Sequence, residues 1–223
     1  MRSAMFAVVV VCAGVSAVPA QDKPVPDKYG YKQMFDLPKF WIYGGNRDAW
    51  GFTGDERIVC LGGGGGWLMH PKEFGDVEFR FEYKMAKGSN SGITVRCPMP
   101  TTDRFPDPCF DSYEIQLVDD ANTQDGKKDT TCTGSIYSVV PAKKQNASKP
   151  LGEWNDIRVV AKGTRVTVVL NGEAIQDVDL KEHADKVKGK HPNFLSTKGY
   201  IGLQSNVGKV EFRNLRIKEL VVD

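Results

Sequence analysis

Val166-Thr167-Val168-Val169-Leu170-Asn171-Gly172-Glu173-Ala174-Ile175 sets an Asn-Gly pair between two β-rich runs. Both central positions of a type I′ turn need positive φ, which Asn and Gly adopt at low cost, so the stretch reads as a β-hairpin. That turn chemistry accounts for Asn171 without a ligand. In a second stretch, Val77-Glu78-Phe79-Arg80-Phe81-Glu82-Tyr83, apolar residues fall at every other position opposite Glu78, Arg80 and Glu82, which gives one buried face and one wet face. Working outward, strands are expected at Val77–Met85, Ser91–Arg96, Ser112–Val118, Ile136–Val139, Trp154–Lys162, Arg165–Leu170, Glu173–Asp179, Gly199–Ser205 and Val210–Glu219. Beyond residue 20 nothing holds an apolar 3.6-residue period for about three turns, so any helices are short. Strands at this spacing, without βα alternation, predict an all-β fold: a two-sheet antiparallel jelly-roll sandwich with few or no helices.

The 223 residues, 40% of them hydrophobic, suffice for one well-buried domain. Thirty Lys and Arg against 28 Asp and Glu leave a net charge of +2, too small a field to steer the chain to nucleic acid. Residues 1–20 have the form of a secretory signal: Arg2, an apolar run from Ala4 to Ala13, then small residues with cleavage expected after Ala20 and Ala17 as the second choice. The run is short and broken for a membrane span, so a secreted or periplasmic protein with no span after cleavage is expected. Residues 21–32 read as an extended leader and 33–221 as one domain. Oligomeric state is left open. Cys12 goes with the signal, leaving Cys60, Cys97, Cys109 and Cys132 in an oxidising compartment. Cys97 and Cys109 bracket a proline-rich loop and are the first candidates for a disulfide, although the sequence leaves the pairing open.

Gly62 to Gly66 carries neither the Lys-Ser/Thr of a phosphate loop nor the dinucleotide spacing. It reads either as a turn feeding a strand or as a glycine rim over which a ligand approaches backbone. The three histidines lack metal-ligand spacing, and no motif asks for a cofactor; a divalent ion is left open.

Several motifs together carry a family resemblance. They run from Trp67-Leu68-Met69 and Lys72-Glu73-Phe74-Gly75-Asp76-Val77 through Asn90-Ser91-Gly92-Ile93, Arg96, Tyr113-Glu114-Ile115-Gln116 and Thr133-Gly134-Ser135-Ile136-Tyr137. Lys149-Pro150-Leu151-Gly152-Glu153-Trp154-Asn155, Leu170-Asn171-Gly172, Gly199-Tyr200-Ile201-Gly202-Leu203-Gln204 and Phe212-Arg213-Asn214-Leu215 continue the series. Over roughly residues 33–221 the chain resembles the 3-keto-disaccharide hydrolase family. The resemblance implies a concanavalin A-like jelly roll, a sugar held on the concave face of one sheet, and an oligosaccharide or 3-keto-disaccharide as partner. One departure stands out: relatives often carry a histidine before the glycine where this chain has Ser205-Asn206-Val207-Gly208. Asn206 can hydrogen-bond a sugar but cannot act as a base.

Within that frame, a period of two places Glu114 and Gln116 on one strand face, a carboxylate to move a proton beside an amide to grip a diol. A solvated polar face is the competing reading. Arg96 follows Thr94 in the same alternation, near Asn90 and the backbone-exposing Gly92, as a candidate carbonyl polariser. Asn90, Asn155, Gln204 and Asn206 are expected to bind substrate, and Trp67 and Tyr137 offer ring faces for stacking. Two functions fit: an exported hydrolase or lyase cleaving glycosidic bonds of 3-keto-glycosides, and a non-catalytic carbohydrate-binding jelly roll.

Overall fold

The computed structural model describes residues 31–33, 41–64, 66–98 and 107–221; the expected signal, its cleavage site and nearly all of the leader lie outside these described residues. In chain order the strands are β1 Lys32–Gln33, β2 Trp41–Tyr43, β3 Trp50–Phe52, β4 Ile58–Cys60, β5 Gly66–Met69, β6 Val77–Met85, β7 Asn90–Cys97, β8 Ile115–Val118, β9 Asn155–Lys162, β10 Arg165–Leu170, β11 Glu173–Asp179, β12 Tyr200–Ser205 and β13 Val210–Glu219. Two four-residue α-helices, α1 Pro108–Asp111 and α2 Ala184–Val187, and two 3-10 helices, Arg47–Ala49 and Leu180–His183, complete the regular structure of the described residues. The strands form an eight-stranded sheet, in the order β11-β10-β9-β6-β13-β4-β3 with β1 beside β13, and a five-stranded sheet, β2-β5-β12-β7-β8. All named pairings are antiparallel, so the expected all-β jelly-roll sandwich is the architecture observed.

The alternation that predicted β6 decides its packing. Val77, Phe79, Phe81, Tyr83 and Met85 are buried, with partly exposed residues between them. They share one core with Ile157 and Val159 of β9, Phe212 of β13, and Ile93, Ile115 and Leu203 of the smaller sheet. Each such side chain contributes about 1.5–3 kcal/mol by leaving water. The Asn171-Gly172 turn forms as expected, with φ of 52° and 88°, and the Asn171 carboxamide oxygen accepts from the backbone N–H of Asp156 at 3.0 Å.

Two expectations about local structure need correction, and one open alternative is decided. Ile136–Val139 is a turn, closed by Val140 N–H to the Ile136 carbonyl at 2.9 Å; only Ile136 bridges to Ile115. Strand β8 starts at Ile115 because α1 occupies the residues up to Asp111. The glycine run serves the turn: a β-carbon on Gly66 would lie 2.3 Å from the Tyr43 carbonyl oxygen, and one on Gly62 would lie 2.5 Å from the Gly208 nitrogen.

Candidate functional site

Unlike the larger sheet, the smaller one is buried on both sides: every residue of β8 is buried and β7 is buried from Ser91 to Cys97. Its outer face is not the wet strand face that alternation alone allows. Asp107 and Cys109 at the start of α1 pack on it against Trp67, Met69 and Cys97, and the polar side chains there are removed from water.

Register assembles them. Gln204 of β12 stands opposite Trp67 of β5. Across the sheet, Gly92 of β7 faces Gln116 of β8, and Leu203 faces Ile93. Beyond β8 the segment 133–137 continues the sheet without being a strand: Gln116 N–H donates to the Ser135 carbonyl at 3.0 Å, and Tyr137 N–H donates to the Glu114 carbonyl at 2.9 Å. Glu114, Gln116, Ser135 and Gln204 therefore converge, with relative exposures of 3%, 1%, 0% and 8%.

Their polar atoms are not consumed by the protein. Oε1 of Glu114, both polar atoms of the Gln116 amide, Oε1 of Gln204 and Oγ of Ser135 have no hydrogen-bond partner among the described residues. Buried polar groups are nearly always paired, because leaving one unmade costs about 1–3 kcal/mol. Four neighbouring side chains with unused valences can serve a ligand rich in donors and acceptors.

Burial pushes the Glu114 carboxyl up to about 8; the charges of Asp107 and Asp125 push the same way, against hydrogen bonds to the Cys109 thiol and the Gln204 amide. The group is thus poised to hold or release a proton near neutrality. Gly92 makes room for it, since a β-carbon there would lie 1.7 Å from Oε1 of Glu114.

The other sequence-predicted residues divide. Asn90 lies at the rim, its amide donating to Oδ2 of Asp125 at 3.2 Å, and exposed Asn206 lies beside it through the Asn90–Val207 backbone bridge. Tyr137 is half-buried against the site. Arg96 is not on this face. It has φ of 62° where the β7–β12 register shifts, and the slip turns its side chain inward: it is fully buried and pairs with Asp76 at 3.4 Å. Cys97 takes the outward position, in a cluster with Tyr43, Trp67, Met69 and Cys109.

Trp67 is not an open platform either. It is 2% exposed and its indole N–H donates to Oδ1 of Asp107 at 3.0 Å. Asn155 belongs to the larger sheet, where its carboxamide oxygen accepts from Lys149 N–H at 2.7 Å and from the Asn171 amide at 2.8 Å. The expected Cys97–Cys109 disulfide is absent: Cys60, Cys97, Cys109 and Cys132 are free and buried. The Cys97 thiol donates to the Pro98 carbonyl at 3.5 Å. Among the described residues no three His, Cys, Asp or Glu side chains group as a metal site.

Sequence reasoning missed Asp107, Cys109, Ser135 and Asp125. One local signal was readable: Asp107 followed by Pro108 is a helix start, and Asp107 caps α1 by accepting from Cys109 N–H at 3.0 Å.

Comparison with known proteins places the chain in a family. A family profile described as a 3-keto-alpha-glucoside-1,2-lyase-like domain matches residues 30–218. A 3-keto-disaccharide hydrolase of Bacteroides thetaiotaomicron is 30% identical over 236 aligned residues, covering 87% of this chain and 80% of that protein. Two crystal structures of candidate glycosyl hydrolases from Parabacteroides distasonis share the fold. One is 27% identical at a TM-score of 0.70, covering 85% of this chain and 99% of the other. The second is 24% identical at a TM-score of 0.75, covering 90% of this chain and all of that one. The function is carbohydrate-active, and the chain belongs to the 3-keto-disaccharide hydrolase family.

Proposed function

We propose that the protein cleaves glycosidic bonds in sugars already oxidised to a ketone at C3, with Glu114 as the proton-transfer group. The observation that carries this reading is the row of unpartnered buried polar atoms around a carboxyl held near neutrality. A 3-ketone acidifies the C2 proton and leaves the C1 substituent β to the carbonyl. Ionised Glu114 takes that proton, and the electron pair of the C2–H bond forms the enolate. Its collapse breaks the C1–O bond, and the leaving group departs as the alcohol on gaining a proton. Addition of water to C1, with return of a proton to C2, completes a net hydrolysis; release before water adds makes the protein a lyase.

The route needs one base and one group to polarise the ketone, and asks for no cofactor. Arg96 is paired inside the sandwich, so the polarising role falls to the free amide N–H groups of Gln116, two residues along the face from Glu114. Gln204 and Ser135 take sugar hydroxyls, and Asn90 and Asn206 complete the rim. The signal-like residues 1–20 support action outside the cytoplasm, which sequencing of the mature amino terminus checks.

The test is incubation of purified protein with a 3-keto-disaccharide and with its unoxidised parent, in water and in deuterium oxide. Selective consumption of the keto sugar, with deuterium appearing at C2, supports the reading. Consumption of neither sugar, while either raises the melting temperature, moves the protein to the carbohydrate-binding class.

A further inference from the structure

We infer that Phe110, with Tyr137, forms the aromatic wall on which the leaving-group sugar of the substrate stacks, an inference that rests on the proposed function of the Glu114 face. Phe110 is unusual for an aromatic residue in this fold: it is 54% exposed although it lies on α1, between buried Cys109 and buried Asp111. Its ring is not stranded on an empty surface. It meets Tyr137 edge-on at 6.5 Å between centroids and His191 at 6.1 Å.

Both ends of this wall lie beside Glu114. On one side, the thiol of the preceding residue, Cys109, lies near enough to the Glu114 carboxyl for each group to shift the other's pKa. On the other, the backbone N–H of Tyr137 donates to the Glu114 carbonyl at 2.9 Å. The helix turn carrying Phe110 is itself held in place, because Asp107 caps it and also accepts from the Trp67 indole. Asp111 anchors its other end by accepting from the Asn193 amide at 2.9 Å. An exposed apolar ring on a rigid mount beside a cluster of unpartnered polar groups suits a sugar, whose axial C–H face packs on an aromatic ring while its hydroxyls reach the polar groups.

Depth assigns the ring to one half of the substrate. The carbon that loses its proton must reach Glu114, which is 3% exposed, so the oxidised sugar occupies the inner position. Whatever covers the outer, half-exposed Phe110 is the part beyond the bond that breaks, which is the leaving group.

The experiment compares Phe110→Ala with wild type on two substrates, a 3-keto-disaccharide and the corresponding methyl 3-keto-glycoside. The ratio of kcat/KM for the disaccharide over that for the methyl glycoside is expected to fall about tenfold in Phe110→Ala, mainly through KM, and to recover in Phe110→Tyr. An unchanged ratio, or an equal loss on both substrates, overturns the inference. Calorimetric binding of the same pair to Glu114→Gln protein gives a second reading. There the disaccharide is expected to bind more tightly than the methyl glycoside, and Phe110→Ala in that background to erase the difference. Equal affinities for the two sugars overturn the stacking wall, whereas full turnover by Glu114→Gln overturns the catalytic reading instead.

Discussion

A β-carbon added to Gly92 would stand 1.7 Å from Oε1 of Glu114, so the carboxyl occupies the space that any other residue at position 92 would fill. The Gly92 backbone does not have positive φ, and alanine is allowed there conformationally. Gly92→Ala is therefore expected to fold, with the melting temperature lowered by only a few degrees, and to lose roughly tenfold or more in turnover by displacing the Glu114 side chain. Turnover and thermal melting measured on the same sample check this; wild-type turnover would show that the carboxyl works from another position.

Glu114→Gln keeps the shape of the side chain and removes its charge. Turnover of a 3-keto-glycoside is expected to drop about 100-fold or more while binding persists, the usual scale for a positioned base. Glu78→Gln, on the outer face of the larger sheet beside Arg158 and Tyr31, is expected to leave turnover near the wild-type value. Because the working form is the ionised one, kcat/KM of the wild type should rise with pH and level off above about 8.

The same carboxyl makes stability depend on pH with a definite sign. Burial raises its folded value to about 8 from an ordinary 4.5, so between these limits the folded state holds a proton that the unfolded chain has released. Stability contributed by neutral Glu114 is complete below about 4.5 and is lost as pH rises toward about 8. Urea unfolding at pH 5 and pH 8 should show Glu114→Gln losing less stability than wild type over this interval. A larger loss in the variant would contradict the assignment.

Arg96 and Asp76 bear on stability instead. Asp76 also accepts from Gly163 N–H at 2.8 Å, so its carboxylate ties β6 to the β9–β10 turn while balancing a guanidinium with no exposure. Asp76→Asn leaves that charge uncompensated and is expected to cost about 3–5 kcal/mol in denaturant unfolding. The rate per folded molecule should change far less, which distinguishes this pair from the Glu114 face.

How much of this was legible in the residues depended on element length. Val77–Met85 and the Asn171-Gly172 hairpin declare themselves because seven or more alternating positions, or an obligatory turn pair, outweigh local noise. Trp41–Tyr43, Trp50–Phe52 and Ile58–Cys60 are three residues each, too short for a period to register. Glu114, Gln116 and Gln204, which the structure brings together, were singled out by alternation and family motif together. Arg96 was placed on the wrong face because one shifted residue inverts every side chain after it, and the shift is set by pairing with β12. Trp67 was misjudged because its cover, Asp107, lies 40 residues away in the chain.

The two sheets divide the molecule's duties. Ion pairs such as Arg80–Asp156, Arg165–Asp177 and Arg213–Glu82, and the two longest strands, belong to the eight-stranded sheet, whereas the proposed site rests on the five-stranded one. An evolving or engineered lineage can therefore rewrite the loops and polar letters above β7, β8 and β12 to suit a different sugar. The opposite sheet keeps the scaffold intact while the recognition surface is searched.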